Sequence, residues 1–342
     1  MRSAVRIVGG IGLLVLLAGG APQSPPLPRP DHIVIVVEEN KLYSLVVGNP
    51  DAPYINSLLS KAAVFTNYHA LTHPSQPNYL AICSGSFQGV TNNTAPAPGS
   101  PFAAPNLGNL LIGAGRTFAG YSEDQPEVGY LGPVFNNYRR RHNPWSNFSN
   151  VPPESNLPYT HFPTPDRFDS LPTVSFVIPN LLNDMHSDSI ARGDTWLKDN
   201  LDAYIRWAAD HNSLFILTFD ESNAADSNHI LTLFIGPMVR PGFYAEPVNH
   251  LHLLRTLEDL YGLPYAGDSA TVGPIRDVWV TAAPPPAAPP PAPDPPSTPI
   301  VDPDPEAAPL PKKEDNGCGW LGIEVFLLWS LHRLRRNLPS NG

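Results

Sequence analysis

Four short, mainly apolar runs along the chain predict buried strands of one sheet: His32–Val37, Thr173–Ile178, Leu214–Phe219 and Ile230–Ile235. Each run is continuous rather than alternating, which is typical of strands covered on both faces. The first run ends in acidic and amide residues, and the third ends in two acids. The pattern therefore predicts a central sheet with polar groups at the ends of its strands.

Segments with helical spacing lie around these strands. The clearest begins at Asp194, where apolar side chains recur every three or four residues. The predicted helices are Pro53–Ala62, Ser75–Cys83, Asn106–Ala114, Asp194–His211 and His250–Tyr261. Such alternation predicts a single α/β domain with a mostly parallel sheet and helices on both faces. Ligands of such sheets bind outside the carboxyl ends of the strands.

Proline content separates the folded part of the chain from its C-terminal region. Of 43 prolines, 14 lie between Pro284 and Pro311. A segment of Pro, Ala and Asp has little surface to bury and favours extended backbone. We expect a folded domain over residues 31–280 and a Pro-rich, disordered linker over 283–312.

Both ends of the chain carry apolar stretches. Residues 1–21 combine basic residues, a short apolar run and small residues, which predicts a cleaved signal peptide and an exported protein, either secreted, periplasmic or cell-surface associated. The alternative is a buried first strand or helix. Residues 317–337 combine an apolar run with an arginine cluster and resemble a bacterial sorting or anchoring tail. The alternative is an amphipathic helix that packs on the domain or lies on a membrane surface.

Composition excludes several functional classes. The 342 residues include 31 acids and 21 bases, and the formal net charge of −10 argues against nucleic-acid binding. Two cysteines exclude a disulfide-stapled miniprotein and a cysteine-based zinc finger. The chain has no Gly-x-Ser-x-Gly elbow, His-Glu-x-x-His motif, P-loop or dinucleotide fingerprint.

Four oxygen-donor side chains come directly after two of the predicted strands: Glu39, Asn40, Asp220 and Glu221. At one edge of a parallel sheet their carboxylates would repel one another unless a cation or a proton intervened. The cluster therefore suits a divalent cation. The alternative is that these residues cap the next helices, where acids favour the N-terminus.

A serine and several histidines are candidates for the chemistry. Ser75 opens a predicted helix, where free backbone N–H groups and the helix dipole suit a phosphate oxyanion. The alternative is an ordinary N-cap serine. His186 lies in the run Asn183–Asp188, and His229 precedes the fourth strand. Lone histidines are more often structural hydrogen-bonding groups.

Taken in order, these motifs resemble the secreted acid phosphatase and phospholipase C-like phosphoesterase family, within the alkaline-phosphatase superfamily. The matching stretches include His32–Asn40, Ala52–Gly89, Pro172–Leu201 and Ser213–Gly267, so that the resemblance covers nearly all of residues 31–268. It implies an alkaline-phosphatase-like α/β domain and a hydrolase of phosphate esters.

The resemblance also implies roles for individual residues. Ser75 matches the family nucleophile, and the metal ligands match Glu39, Asn40, Asp220 and Glu221. The motifs that line the phosphate pocket contain His73, Asp184, His186 and His229. Asn93 matches a phosphate-oxygen donor of distant superfamily members.

Three positions depart from the family pattern. Lys41 and Ser187 replace a histidine and an acid, respectively, and Ser222-Asn223 stands where the family has a further acid. Asp188 is a candidate substitute for the acid missing at Ser187. Since the matched nucleophile and metal positions are intact, we expect activity.

The sequence thus predicts an exported, metal-dependent phosphatase that hydrolyses phosphate monoesters through a phosphoserine. His186 or His229 would protonate the leaving oxygen and then activate water. One alternative is a phosphodiesterase or phospholipase C-type enzyme acting on phospholipid head groups, and another is a non-catalytic surface binding module. The expected cofactor is a divalent cation and the expected partners are small-molecule or lipid phosphate esters, with membrane or cell-surface attachment through the tail.

Overall fold

The computed structural model describes residues 26–96, 101–222 and 228–280. The predicted signal peptide, linker and tail lie outside the described residues. These three assignments, and the bounds 31–280 of the folded domain, stay predictions. Within the described ranges, none of the helices combines the length and the apolar character needed to cross a bilayer.

Twelve strands are described: β1 His32–Glu38, β2 Ala63–Phe65, β3 Tyr68–His69, β4 Phe118–Ser122, β5 Val134–Phe135, β6 Tyr138–Arg139, β7 Asn156–Pro158, β8 Val174–Ile178, β9 Ser213–Phe219, β10 Thr232–Ile235, β11 Gly242–Tyr244 and β12 Val248–Asn249. The α-helices of the described residues are α1 Tyr43–Val46, α2 Pro53–Leu58, α3 Ser75–Ser84, α4 Leu107–Gly113, α5 Ile190–Asp210 and α6 His250–Tyr261. Short 3₁₀ turns cover Leu59–Lys61, Arg140–His142, Pro144–Asn147, Pro153–Ser155, Tyr159–His161, Pro165–Ser170 and Gly267–Thr271.

An eight-stranded, mostly parallel sheet forms the centre, in the order β11-β2-β10-β9-β1-β8-β4-β7. Only β10 runs antiparallel to its neighbours β9 and β2. The predicted α/β fold is confirmed. The four strands predicted from apolar runs are β1, β8, β9 and β10, which are contiguous in the sheet and buried.

The register of β1 and β9 brings two distant acids side by side. The strands are parallel, and Glu38 pairs with Phe219 at their carboxyl ends. The Asp220 backbone N–H then donates to the Glu38 carbonyl at 2.9 Å, so the next residues, Glu39 and Asp220, are neighbours across the sheet. This explains why the polar strand ends share one edge.

Helix α3 is buried along its whole length and delivers Ser75 to the same edge. It ends at Gly85, whose φ of 64° lies in the left-handed region. A Cβ at Gly85 would lie 2.0 Å from the Ala266 carbonyl oxygen, so glycine is required there for both reasons.

Candidate active site

Ser75 lies inside a group of buried acids. Its Oγ is 2.9 Å from Glu221 Oε1 and 3.2 Å from Glu39 Oε2. Its single proton can be donated to only one of them at a time. The N-cap position of α3 is Pro74, whose side chain makes no capping hydrogen bond, and the Ser75 hydroxyl does not cap the helix either. The structure thus favours the reactive interpretation of Ser75 over an ordinary helix-capping role.

The loop before Ser75 is fixed by side-chain amides. Asn78 Oδ1 accepts from the backbone N–H groups of Leu71 and Thr72 at 3.1 and 3.2 Å. Asn228 Nδ2 donates to the Thr72 carbonyl at 2.9 Å. These bonds hold the approach to α3, and hence the position of the serine oxygen.

Asn40 completes a ring of oxygen donors around Ser75. Its backbone N–H donates to Asp220 Oδ1 at 3.2 Å, and its φ of 44° turns the chain sharply after β1. With the amide nitrogen turned inward, the side chain donates to Asp220 Oδ1, Glu221 Oε1 and Glu39 Oε2 at 3.3, 3.2 and 3.3 Å. With the oxygen inward, it faces only acceptors, an arrangement that a cation would stabilise.

The site holds more negative charge than its hydrogen bonds compensate. Burial raises the pKa of all four carboxyl groups, those of Glu39, Asp184, Asp220 and Glu221. Among the described residues, the buried oxygens Asp184 Oδ2 and Asp220 Oδ2 accept no hydrogen bond. Hard oxygen donors, mutual repulsion and unbonded carboxylate oxygens together fit a divalent cation.

His142 joins this cluster, although the sequence analysis did not select it. Its Nε2 is 3.2 Å from Glu39 Oε1, and its Nδ1 is 3.8 Å from Asp184 Oδ2. Together, Glu39, His142 and Asp184 form a buried triad with spacing suited to a metal ion. Burial and nearby Arg141 lower the pKa of His142 well below its usual range, so the imidazole is neutral, the state that ligates metals. His142 begins the stretch His142–Val151, in which the sequence also resembles the phosphoesterase family, so a signal was present. The resemblance assigned it no role, and no periodic pattern in this loop singled it out.

Tyr79 contacts two members of the triad, Glu39 and His142, and fixes their positions. Its hydroxyl donates to Glu39 Oε1 at 2.5 Å, and its ring stacks on His142 with centroids 5.0 Å apart. Tyr79 lies one helical turn beyond Ser75 on α3, so a single rigid helix positions the serine and the metal-binding groups.

Arg141 brings a positive charge to the edge of this acid cluster. Its Nε donates to His142 Nε2 at 3.2 Å, and its charge lowers the pKa of His186 and His142. No carboxylate of the described residues forms an ion pair with it. Within the same ranges its terminal nitrogens donate no hydrogen bond, so they remain available to an anion.

The loop Asn183–Asp188 carries Asp184 and His186 to the site. Asp184 Oδ1 accepts from the His186 backbone N–H at 2.8 Å, and the Asp184 carbonyl accepts from Glu39 N at 2.8 Å. Lys41 Nζ donates to the Met185 carbonyl at 2.5 Å. Lys41 thus occupies the rim of the site beside this loop.

The other predicted pocket residues have defined contacts. His73 Nδ1 is 2.6 Å from Glu221 Oε2. Asn93 Oδ1 accepts from the Gln76 backbone N–H at 3.0 Å, directly after Ser75. His229 stacks between Tyr43 and His69, with ring centroids 4.6 and 5.2 Å away. Asn93 therefore already binds the Gln76 amide, one of those expected to face the phosphate. The roles of His73, Asn93 and His229 stay predictions.

Asp188 lies apart from the acid cluster. Its carboxylate is exposed, pairs with Arg192 Nη1 at 3.0 Å and accepts from the Ser189 backbone N–H at 2.7 Å. It is held at the start of α5, so it does not substitute for the acid absent at Ser187. His142, through its contacts with Glu39 and Asp184, supplies a different group at the centre.

The arrangement is suited to nucleophilic substitution at phosphorus. It offers one hydroxyl, a metal-binding set of acids, and a neighbouring guanidinium for an anionic group. The hydroxyl lies at a helix N-terminus and is surrounded by groups that fix its proton.

Comparison with known proteins agrees with this chemistry. A model of the phosphoesterase family matches residues 46–264. The phosphatidylinositol-3-phosphatase of Mycobacterium tuberculosis is 46% identical over 282 residues, which cover 81% of this chain and 94% of that relative. A probable acid phosphatase of Kluyveromyces lactis is 28% identical over 253 residues, 68% of this chain but 58% of the relative.

Among solved structures, the fold is similar to that of a protein in the alkaline phosphatase superfamily from Vibrio parahaemolyticus. The TM-score is 0.53 at 14% identity, over 74% of this chain and 73% of the other. At that identity the likeness shows the fold alone.

Proposed function

Because the chain belongs to the phosphoesterase family and is a phosphoric ester hydrolase, we propose that it is a metal-dependent phosphatase that cleaves phosphate monoesters through a phosphoserine. The observation that carries this proposal is Ser75 Oγ, 2.9 and 3.2 Å from two buried carboxylates at the N-terminus of α3. A hydroxyl that only capped the helix would have no reason to be surrounded by acids.

The residues proposed to hold a divalent cation are those whose oxygens or imidazole nitrogens converge here: Glu39, Asn40, Asp220 and Glu221, with His142 and Asp184 alongside. When bound, such a cation neutralises charge on phosphoryl oxygens and makes a nearby hydroxyl more acidic. The four oxygen donors around Ser75 form one set of ligands, and the triad of Glu39, His142 and Asp184 forms another. Because the two sets share Glu39, together they offer ligands for one ion or two.

In the proposed reaction, Ser75 Oγ forms a bond to phosphorus while the bond to the leaving oxygen breaks. The serine proton passes to Glu221 or Glu39, whose carboxylate oxygens accept from Ser75 Oγ, and it returns to Oγ when phosphate is released. His186, on the rim, protonates the leaving oxygen and afterwards takes a proton from the water that releases phosphate; His229 is the alternative group for this role. The products are an alcohol and inorganic phosphate, and Ser75 is regenerated.

Arg141 favours monoesters over diesters. A monoester presents a third free phosphoryl oxygen, and its recognition needs a further donor. The terminal nitrogens of Arg141 are close to the site through the contact of Nε with His142. A guanidinium can bind two oxygens of one phosphate in a bidentate manner.

A substrate panel with the purified full chain tests this function. Release of the aryl alcohol from an aryl phosphate and a bis-aryl phosphate, and of inorganic phosphate from phosphatidylinositol 3-phosphate, would be measured with and without a chelator. We expect hydrolysis of the monoesters, little hydrolysis of the bis-ester, and loss of activity with chelator that added divalent metal restores. Preferential hydrolysis of the bis-ester would identify a phosphodiesterase, and the absence of hydrolysis would favour a binding module.

Export is also proposed, on the strength of the apolar run and small residues within 1–21. Expression of the full chain in a bacterial host, with mass determination of the protein outside the cytoplasm, tests it. A mass that retains residues 1–21 would contradict cleavage.

A further inference from the structure

An exposed, uncharged loop lies next to the candidate active site. Residues 128–135 read Val-Gly-Tyr-Leu-Gly-Pro-Val-Phe, and we call them the apolar tip. Val128, Leu131, Val134 and Phe135 are 43%, 37%, 51% and 42% exposed. Surface loops are usually polar, and grouped apolar side chains on a surface mark an interaction site. Of the exposed large hydrophobic side chains in the described residues, four fall in these eight positions.

The base of this loop is tied to the loop that carries Asp184 and His186. Asp124 Oδ2 accepts from the Asn137 backbone N–H at 3.2 Å and from Asn180 Nδ2 at 3.0 Å. Leu181 N donates to the Asn137 carbonyl at 3.2 Å. The tip therefore projects from the rim of the site, and any surface that contacts it lies beside the entrance for the phosphate.

Positive charge lies immediately beyond the tip. Arg139 ends the β5–β6 hairpin, and Arg141 comes two residues later. Lys41 reaches the same rim through its bond to the Met185 carbonyl. Arg139 and Arg141 follow the tip directly in the chain, and Lys41 contacts the loop that carries His186, so all three charges border the rim that the tip adjoins. Glu127 and Glu154 are exposed acids next to the tip; Glu154 follows Pro153, which lies against Gly129.

We propose that the apolar tip docks on an anionic phospholipid bilayer and presents a membrane-borne phosphate monoester to Ser75. The tip would enter the interfacial region, and the basic rim would face the anionic head groups. This inference rests on the proposed phosphatase function and names its substrate class, a phosphate ester carried by a lipid.

Two features favour a bilayer over a protein partner. Apolar side chains with a basic rim behind them match the layers of an anionic lipid surface, which is apolar inside and negatively charged outside. The relative from Mycobacterium tuberculosis is named for a phosphate on a membrane lipid. A protein partner at this position would cover the entrance to the site, whereas a bilayer that carries the substrate brings it there.

The chain offers a matched control. Phe243 is 66% exposed on β11, at the edge of the sheet opposite to β4 and β7, which lie on the side of the apolar tip. Phe243→Ser removes a ring at least as exposed as that of Phe135 but far from the rim. Both substitutions are made in the full chain, so any membrane affinity of the chain termini is the same in each protein.

Binding is measured first, without reference to activity. Phosphatidylcholine vesicles, with and without phosphatidylserine, are mixed with each protein and separated by flotation. We expect Val134→Ser/Phe135→Ser to weaken binding to the phosphatidylserine vesicles at least tenfold, and Phe243→Ser to change it less than twofold. Equal binding by the double variant and the parent, or equal loss in the Phe243→Ser control, overturns the proposal. A change in sedimentation coefficient in place of vesicle binding would identify a protein interface and overturns it as well.

Enzyme kinetics then distinguish the membrane docking of the apolar tip from the proposed phosphatase function. For phosphatidylinositol 3-phosphate in vesicles, the double variant should show KM raised about tenfold, while kcat/KM for a soluble aryl phosphate stays unchanged. Parent protein that binds vesicles but hydrolyses neither substrate would contradict the phosphatase function alone. As a second readout, Phe135→Trp should show a blue-shifted emission on addition of vesicles, and Phe243→Trp should not; the absence of a shift in both counts against the tip.

Discussion

Ser75 Oγ lies 2.9 Å from Glu221 Oε1, although the two residues are 146 positions apart in the chain. The other oxygen of Glu221 is 2.6 Å from His73 Nδ1, two residues before the serine. One carboxylate thus fixes both the hydroxyl and the loop that leads to it. The Ser75 hydroxyl, the proposed nucleophile, is thus held in place by the acids before any substrate arrives.

Ser75→Ala should abolish turnover, with kcat for an aryl phosphate reduced at least ~1,000-fold. The fold should persist, because no capping hydrogen bond of α3 depends on this side chain. Ser84→Ala is the matched control, since its buried hydroxyl lies at the other end of the same helix and bonds only to main-chain groups and Gln88. Activity of Ser75→Ala within tenfold of the parent would show that another group attacks phosphorus.

Metal affinity should depend on the buried acids. Glu39→Gln removes a charge shared by the two ligand sets, so we expect divalent-metal binding, measured by calorimetry, to weaken at least ~100-fold. Metal should raise the melting temperature of the parent and have little effect on this variant. Asp188→Asn, at an exposed acid paired with Arg192, should bind like the parent. A parent that binds no divalent metal would refute the assignment.

Arg141→Met should discriminate between types of ester. Loss of a charged hydrogen-bonding group of about 1.5–3 kcal/mol predicts a roughly tenfold to hundredfold lower kcat/KM for the monoester. The rate for a bis-aryl ester, which lacks the third free oxygen, should change far less. Arg206→Met, at an exposed arginine paired with Asp202, is the control. Equal losses on both esters would assign Arg141 a general structural role.

Glu258 lies outside the active site, and we expect its buried carboxyl to make the stability of the fold depend on pH. Burial raises the pKa of its carboxyl to about 7, against 4.5 as the ordinary value. Since the unfolded chain ionises first, the contribution of Glu258 to the free energy of unfolding should be largest below pH 4.5 and fall by up to about 3 kcal/mol as the pH rises to about 7. Glu258→Gln can still accept from Ala266 N and bond to Ser269 Oγ, and it should remove this part of the slope. Denaturant unfolding at several pH values measures it, and an unchanged slope would contradict the assignment.

The sequence predicted the parts of the fold that local pattern determines. Continuous apolar runs identified β1, β8, β9 and β10, because strands buried on both faces have no polar alternation to obscure them. It missed β4, which reads Phe-Ala-Gly-Tyr-Ser, because its glycine and serine lower the strand signal. Gly120 is nevertheless needed, since a Cβ there would lie 2.0 Å from the Trp145 ring. Close packing, rather than strand propensity, selects that residue.

The same distinction between local sequence pattern and tertiary packing applies to the candidate site. Acids at strand ends could be assigned to one edge because parallel strands end together, and the structure brings Glu39, Asn40, Asp220 and Glu221 around Ser75. His142 and Arg141 could not be found in this way. They reach the centre through a loop whose path depends on tertiary contacts, such as the stacking of His142 on Tyr79.

The main chain of residues 128–135 is bonded to the framework beneath it: Gly129 N donates to the Asn156 carbonyl at 2.8 Å, and Arg140 Nη1 donates to the Leu131 carbonyl at 2.9 Å. The exposed side chains of Val128, Val134 and Phe135 can therefore be exchanged while these main-chain bonds, and the hydrolytic machinery beside them, stay unaltered. Polar or charged side chains at these positions would redirect the same chemistry from insoluble substrates to dissolved ones.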